Sequence, residues 1–507
     1  MFRVINLIFF AFLNFAFAQN LSCENCHKIE KFDAQNHNFS CESCHKSKIS
    51  PSDFPQSLAK FGGFSHENII AHPASPAHYG EFCGICHAKQ ISEFEKSNHF
   101  THKNEIKTIF SAFNMDLNLS LQDFLSQNLP NLNEKERVVA DFVERKCLKC
   151  HAYDNGESSL FSAHGKGCMA CHASYAPSAQ YSGSDTNTSA RPHSRTHTLS
   201  RADNEVCASC HNKYFIGADF MGLFPQNTHK DYRTPLQKNG NFPGLRHGVT
   251  YANLRPDAHF SAGLVCADCH KMSETKSCEA CHETALQTAQ NSSHKFHQNL
   301  ECATCHSAWG GSFYELNAML DFSKDYENWQ NLIEFDASTK RFNARALRQN
   351  TRPTPFSRTL GGEKKPGIWH SAFSLERFEN VLLVRKNNGK IALARPVFGY
   401  NLGIKDENAS VAKFGESGEK FEVWKPFSPH SVQKIGKSCE ACHENPLQSG
   451  ETHGGISELF APKFCENPSQ KNCAKLLDAS PLNEREMQNL KSILYKKTRA
   501  KEILNLN

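Results

Sequence analysis

Residues 266–282 read CADCHKMSETKSCEACH, two copies of one pentapeptide, Cys-x-x-Cys-His, whose starts lie 12 residues apart. Outward from this pair, the pentapeptide also begins at Cys23, Cys41, Cys83, Cys147, Cys168, Cys207, Cys302 and Cys439. Ten copies take up 20 of the 22 cysteines. Scattered cysteines and histidines at this composition would supply roughly 0.05 copies, so the repetition is not accidental.

The spacing has a chemical reason. Two thiols three positions apart add to the two vinyl groups of one porphyrin, and the next residue offers its imidazole to the iron. Zinc knuckles, redox dithiols and structural disulfides do not need a histidine after the second cysteine every time. The expectation is ten covalently attached hemes c, held by Cys23 and Cys26, Cys41 and Cys44, Cys83 and Cys86, Cys147 and Cys150, Cys168 and Cys171, Cys207 and Cys210, Cys266 and Cys269, Cys278 and Cys281, Cys302 and Cys305, and Cys439 and Cys442. The proximal iron ligands are then His27, His45, His87, His151, His172, His211, His270, His282, His306 and His443.

Seventeen further histidines and only seven methionines make a second histidine, rather than methionine, the expected distal ligand. Without a thioether to raise it, the potential of such irons is low. The distal candidates are His37, His66, His99, His164, His197, His229, His259, His297, His430 and His453, with His78, His102, His193, His247, His294 and His370 as substitutes. His37 and His164 precede a motif by H-x3-C and His297 by H-x4-C, a short leash that lets each reach a neighbouring iron.

Residues 1–18 carry one basic residue, Arg3, then the apolar run VINLIFFAFLNFAF and the sequence Ala16-Phe17-Ala18. This is the pattern of a cleaved export signal, which places the mature chain outside the cytoplasm, in the periplasm, from near Gln19. The stretch is short for a membrane span and is interrupted by Asn6 and Asn14. A formal charge of +5 turns negative once heme propionates are added, so nucleic acid is not an expected partner. At 39% apolar residues and mean hydropathy of −0.55 the chain is thin in core material, and the porphyrins are expected to supply what is missing.

Gaps between motif starts of 18, 42, 64, 21, 39, 59, 12, 24 and 137 residues rule out a fixed repeat. The expected organisation is a signal peptide (1–18), a module with motifs one to three (19–102) and a helical spacer (103–146). A central module with motifs four to nine follows (147–306), then a motif-free, β-containing insertion (307–438), and the tenth motif with a C-terminal helix (439–507). In the spacer, Asn133 and Glu136 have capping-box spacing, and Val138, Val139, Phe142 and Val143 form a face expected to lie on a porphyrin. In the insertion, ENVLLVRKNNGKIALARPVFGYNLGIKD predicts a hairpin turning at Asn388-Gly389 and running into a third strand, with FEVWKPF a fourth. Cys465 and Cys473 stand outside the motifs and are expected to form a short disulfide. The tail from Leu482 has helical spacing, with Met487, Leu490, Ile493 and Leu494 on one side and Lys491, Lys496, Lys497, Arg499 and Lys501 beside them. A solvated face and docking to an acidic partner or anionic membrane surface are both readings of that tail. The fold class expected is mainly α and loop-rich, organised around packed hemes, with a small β-rich insertion before the last motif.

FSHENIIAHPASPAHYGEFCGICHAKQISEFEKSNHF (64–100) resembles the N-terminal heme region of large decaheme and other multiheme c-type cytochromes from anaerobic respiring bacteria. GADFMGLFPQNTHKDYRTP (217–235), PDAHFSAGLVCADCH (256–270) and WKPFSPHSVQKIGKSCEACHENP (424–446) are similar to later parts of such proteins. The resemblance implies a periplasmic electron carrier, with His66, His99, His259 and His430 at distal positions. Its partners would be redox proteins such as a membrane quinol dehydrogenase or a terminal reductase, with peripheral membrane contact. Octaheme tetrathionate reductases and hydroxylamine oxidoreductases are more distant likenesses. The CxxCK site of pentaheme nitrite reductases and the wider CxxxCH-type site of octaheme sulfite reductases are absent. An electron relay is the first reading; a reductase of a nitrogen or sulfur oxyanion, using one five-coordinate heme, is the alternative.

Overall fold

The computed structural model describes residues 36–45, 69–70, 72–148, 151–152, 167–173, 199, 201–211, 217–225, 239–241, 250–272, 274–288, 292–323, 356–361, 363–378, 382–408, 410–415, 419, 421–443, 462–467, 470 and 472–491. Residues 1–18, expected to be an export signal, lie outside them. No described helix is long and apolar enough to cross a membrane.

Three helices fill the spacer. In α1, Lys103–Ala112, the buried Ile106, Ile109 and Phe110 recur at helical spacing. Helix α2, Leu121–Leu125, starts where the Asp123 carboxylate accepts from the Ser120 amide at 2.7 Å. Helix α3, Glu134–Phe142, begins with the expected capping box: Asn133 Oδ1 accepts from the Glu136 amide at 3.0 Å, and Glu136 Oε2 from the Asn133 amide at 2.9 Å. Such a cap contributes about 1 kcal/mol. A π-helical turn, Val143–Cys147, then delivers the chain to the fourth motif.

The apolar face of α3 does not lie on a porphyrin, as its sequence suggested. Val139, Phe142 and Val143 are buried against protein. The Phe142 ring meets Trp369 at 5.0 Å and Tyr400 at 5.3 Å, both edge-on. Those two partners, one on a strand and one at the junction of two others, come from far along the chain, which local periodicity does not reveal.

Those strands overturn the mainly α reading. The described segments contain β1 (Leu223–Pro225) and β2 (Tyr251–Asn253), which pair, and β4 (Phe356–Arg358) and β5 (Lys364–Pro366), which also pair. Two larger sheets use β3 (Gly310–Asp321), β6 (Ile368–Phe378), β7 (Leu382–Lys386), β8 (Ile391–Gly399), β9 (Asn401–Lys405), β10 (Val411–Lys413), β11 (Glu422–Phe427), β12 (Lys475–Leu476) and β13 (Ala479–Pro481). Their orders are β10-β9-β3-β6 and β12-β11-β8-β7-β13. The protein is a mixed α and β structure, and its β part is neither small nor self-contained. Strands β12 and β13 arrive from beyond the tenth motif, and α1 to α3 supply the other wall of the core.

The expected hairpin is present: β7 and β8 pair antiparallel, and Gly389 at the turn has φ of 82°, a left-handed conformation that suits glycine. After Tyr400 the chain leaves the five-stranded sheet and becomes β9 of the four-stranded one, parallel to β3. One cluster joins both sheets and the helices: Ile106, Phe110, Phe113, Phe124, Val139 and Phe142 with Leu320, Trp369, Phe398, Leu402 and Val423. Phe113 alone packs against Phe398, Phe414 and Phe421.

A polar tie crosses that core. The buried Arg145 guanidinium pairs with Asp141 and donates to the Gly367 carbonyl and Ser357 Oγ, both at 2.8 Å. Trp369 Nε1 donates to the same Asp141 at 2.7 Å. Lys365 reaches Glu144 at 3.2 Å, although burial pushes the Glu144 carboxyl up against that pull. Cys465 and Cys473 form the expected disulfide. Residues 484–491 are helical, capped reciprocally by Asn483 and Glu486, and Leu490 packs with Leu383 and Leu393 of β7 and β8.

Candidate heme-binding sites

A Cys-x-x-Cys-His sequence wound as one helical turn places its two thiols and its imidazole at i, i+3 and i+4, on one face. The described motifs do wind this way. The amide of the motif histidine donates to the carbonyl of the first cysteine in His87, His172, His211, His270 and His282, at 2.9–3.0 Å. These helices have little protein to pack on: Cys41–His45, Met169–His172, Cys266–Cys269 and Cys439–His443 contain no buried residue.

Six described motif histidines each face one histidine from outside the motifs. Ring centres of His37 and His87 are 6.1 Å apart, of His99 and His211 6.2 Å, and of His259 and His282 5.8 Å. His270 and His430 lie 6.0 Å apart, His294 and His306 6.1 Å, and His297 and His443 6.1 Å. Two imidazoles ligating one metal at about 2 Å each put their nitrogens about 4 Å apart and their ring centres about 6 Å apart. In the His259 and His282 pair the two Nε2 atoms are 3.5 Å apart.

In four of these histidines, and in His45 of motif two, the other ring nitrogen is anchored from behind, whereas His37 Nδ1 is buried without a partner among the described residues. His45 Nδ1 bonds the Ile70 carbonyl at 2.7 Å, His306 Nδ1 that of Gln433 at 3.0 Å, and His443 Nδ1 that of Leu490 at 2.8 Å. His270 Nδ1 meets Thr275 Oγ1 at 3.1 Å, and His259 Nδ1 meets Asp257 at 2.8 Å. Holding Nδ1 fixes the ring and leaves Nε2 to a ligand. Burial, reinforced by neighbouring imidazoles, lowers His99 and His270 and brings His211 down to about 4, which keeps them in the neutral form that binds metal.

Several large apolar side chains around the motifs face outward. Ile85, inside the third motif, is 83% exposed, as is Ile435 just before the tenth; Phe39, Met272 and Phe296 are exposed beside motif residues. A cavity of about 440 Å³ lined by Met221, Leu223, Phe260 and Val265 together with Asp203, Asn204, Glu205 and Asn253 borders motifs six and seven. The described residues hold no group of three or more histidine, cysteine or acidic side chains gathered as for a bare metal ion. Paired histidines, motif thiols outside any disulfide and exposed apolar surface fit a porphyrin, which brings its own nitrogen donors.

The motifs also contact one another in a definite order. The thiols of Cys83 and Cys168 lie near each other, as do those of Cys207 and Cys266 and those of Cys278 and Cys302. Cys44 lies close to Cys83, Cys171 to Cys207, Cys269 to Cys281 and Cys305 to Cys442. Asn204, at the start of the sixth motif's helix, accepts from the Cys266 amide at 2.9 Å, and Arg201 pairs with Asp268. The resulting series is motif two, three, five, six, seven, eight, nine, ten. Motif four stands beside the junction of three and five, with Ala152 packed among Tyr79, Phe94, Cys83 and Cys168.

Of the distal candidates, His37, His99, His259, His297 and His430 are each brought opposite a motif histidine. His37 faces the histidine of the third motif, not that of its sequence neighbour at Cys41. His66, His164, His197, His229 and His453 lie outside the described residues, as do Cys23, Cys26, His27 and Cys150, and the substitutes His193 and His247. His294, a substitute candidate, and His297 each face a motif histidine. His294 lies in the helical stretch Ser292–Phe296 and His297 directly after it, a spacing of three that can serve as a pair of ligands. His102 Nδ1 is held by Glu105 at 2.8 Å while its buried Nε2 has no hydrogen-bond partner among the described residues, and it faces no motif histidine; His370 lies on β6. The chain matches no family model, no curated protein and no solved structure.

Proposed function

We propose that this chain is an exported, periplasmic decaheme c-type cytochrome that relays electrons between redox partner proteins. The observation that carries the reading is the set of six ring pairs, each made of one motif histidine and one outside histidine at ligation distance. Heme, when attached, supplies reversible one-electron chemistry at its iron. Everything else is the work of the peptide. Motif thiols anchor, paired imidazoles clamp from both sides, and carbonyls behind them fix ring orientation. Neighbouring motifs come near one another in a series that runs most of the length of the chain, which would set successive hemes close together. Entry and exit would then fall towards the ends, near motif two and motif ten.

The purified, exported protein should gain the mass of ten hemes, and low-temperature EPR should show low-spin ferric signals without a high-spin component. A protein lacking covalent heme sinks the proposal. A high-spin signal that shifts on adding nitrite, hydroxylamine or sulfite replaces it with the reductase reading.

A further inference from the structure

Two buried aspartates stand directly behind the outer histidines of neighbouring sites. Asp257 is 2% exposed. Its Oδ1 accepts from the His259 amide at 2.7 Å and from His259 Nδ1 at 2.8 Å, while Oδ2 accepts from the Val432 amide at 2.7 Å. His259 in turn faces His282 of motif eight. Asp219, also 2% exposed, accepts from the His430 amide at 2.7 Å and the Gly217 amide at 3.2 Å. Its Oδ1 lies 3.7 Å from His430 Nδ1, too far for a hydrogen bond, and the half-buried Arg395 lies near enough to feel its charge. His430 faces His270 of motif seven.

The contrast with other sites is chemical. Behind His306 and His443 the acceptor is a neutral carbonyl, and behind His270 a hydroxyl. A carboxylate accepting the Nδ1 proton makes the imidazole a more basic, more electron-donating ligand. A negative charge one ring away from the metal acts in the same direction. Both favour the ferric over the ferrous state and so lower the potential.

We infer that Asp257 is a tuning residue that sets the His259 and His282 iron below the His294–His306 and His297–His443 irons in potential, and that Asp219 acts in the same direction more weakly for His270 and His430. This rests on the heme reading proposed above. Motifs seven and eight are adjacent, so the two form a low-potential step inside the series. The aspartates also share a clamp: they hold the amides of residues 430 and 432, and the Val432 carbonyl accepts from the Ala258 amide at 2.8 Å. The outer ligands of two neighbouring sites are thereby fixed to one strand of chain.

The test is spectropotentiometry with EPR on the full-length holoprotein, comparing wild type with Asp257→Asn and Asp219→Asn. Asp257→Asn should move one midpoint to more positive potential and alter the g-values of one low-spin signal, with heme content unchanged; Asp219→Asn should give a smaller shift of another. Midpoints and signals all coinciding with wild type overturn the inference. Should the Asn variants fail to accumulate, wild type still decides. The signal lost in His259→Met must titrate below those lost in His294→Met and His297→Met, and titration above either overturns the inference. Ten attached hemes with unmoved midpoints defeat the aspartate's role alone, whereas absence of attached heme defeats the heme reading itself.

Discussion

The motif modules and the sheet region of this chain bury apolar surface in opposite ways. In the sheets and α1 to α3, aromatic and aliphatic side chains from distant parts of the sequence close on one another, and Ile106, Phe110, Leu121 and Val423 have no exposure at all. In the motif modules, four- or five-residue helices carry exposed cysteines, and Ile85, Phe296 and Ile435 face outward. The difference teaches where the low overall hydropathy comes from. One region has a large protein core; the other has only small clusters such as Tyr79, Phe94 and Ala152, which suits the heme reading proposed above.

The sharpest way to break that comparison is to withhold heme. Unligated chain, made without cofactor attachment, should lose protease protection across residues 147–306 while fragments containing 103–146 and 310–427 persist, as mass spectrometry of limited digests would show. Uniform digestion would mean that the sheets too depend on heme. Next in size, Phe142→Ala should cost about 3–5 kcal/mol through the cavity left between Trp369 and Tyr400. It should lower the unfolding midpoint seen by tryptophan fluorescence while the heme absorption spectrum stays unchanged. Smallest, Gly389→Ala forces a side chain into the left-handed turn of the β7 and β8 hairpin and should cost about 1–2 kcal/mol by denaturant titration. That hairpin also holds the ninth motif, since the Ile391 amide and carbonyl bond Asn299 and Glu301. The substitution therefore asks whether a strain in the sheets is felt at His306.

Much of the local structure was legible. The capping box at Asn133 and Glu136, the turn at Asn388-Gly389 and the Cys465 to Cys473 bridge all depend on residues within a few positions of one another. Pairing of β3 with β6 does not, because Gly310 meets Phe378 across a gap without any turn signal. For the same reason α3 looked like a helix in search of a porphyrin: its apolar stripe was plain, but its partner Trp369 was not. Sequence spacing suggested several histidines near motifs, and His37 shows the limit of that reasoning, because the nearest motif along the chain was not the one it faces.

Sequence alone determined the chemistry: ten copies of one pentapeptide, each able to place two thiols and an imidazole on one helical face, because that geometry closes within five residues. Tertiary structure decided which histidine faces which motif, the order in which motifs touch, and which rings rest on a carboxylate. Those are relations between residues as far apart as His270 and His430, and only the folded path of the chain brings such groups within reach.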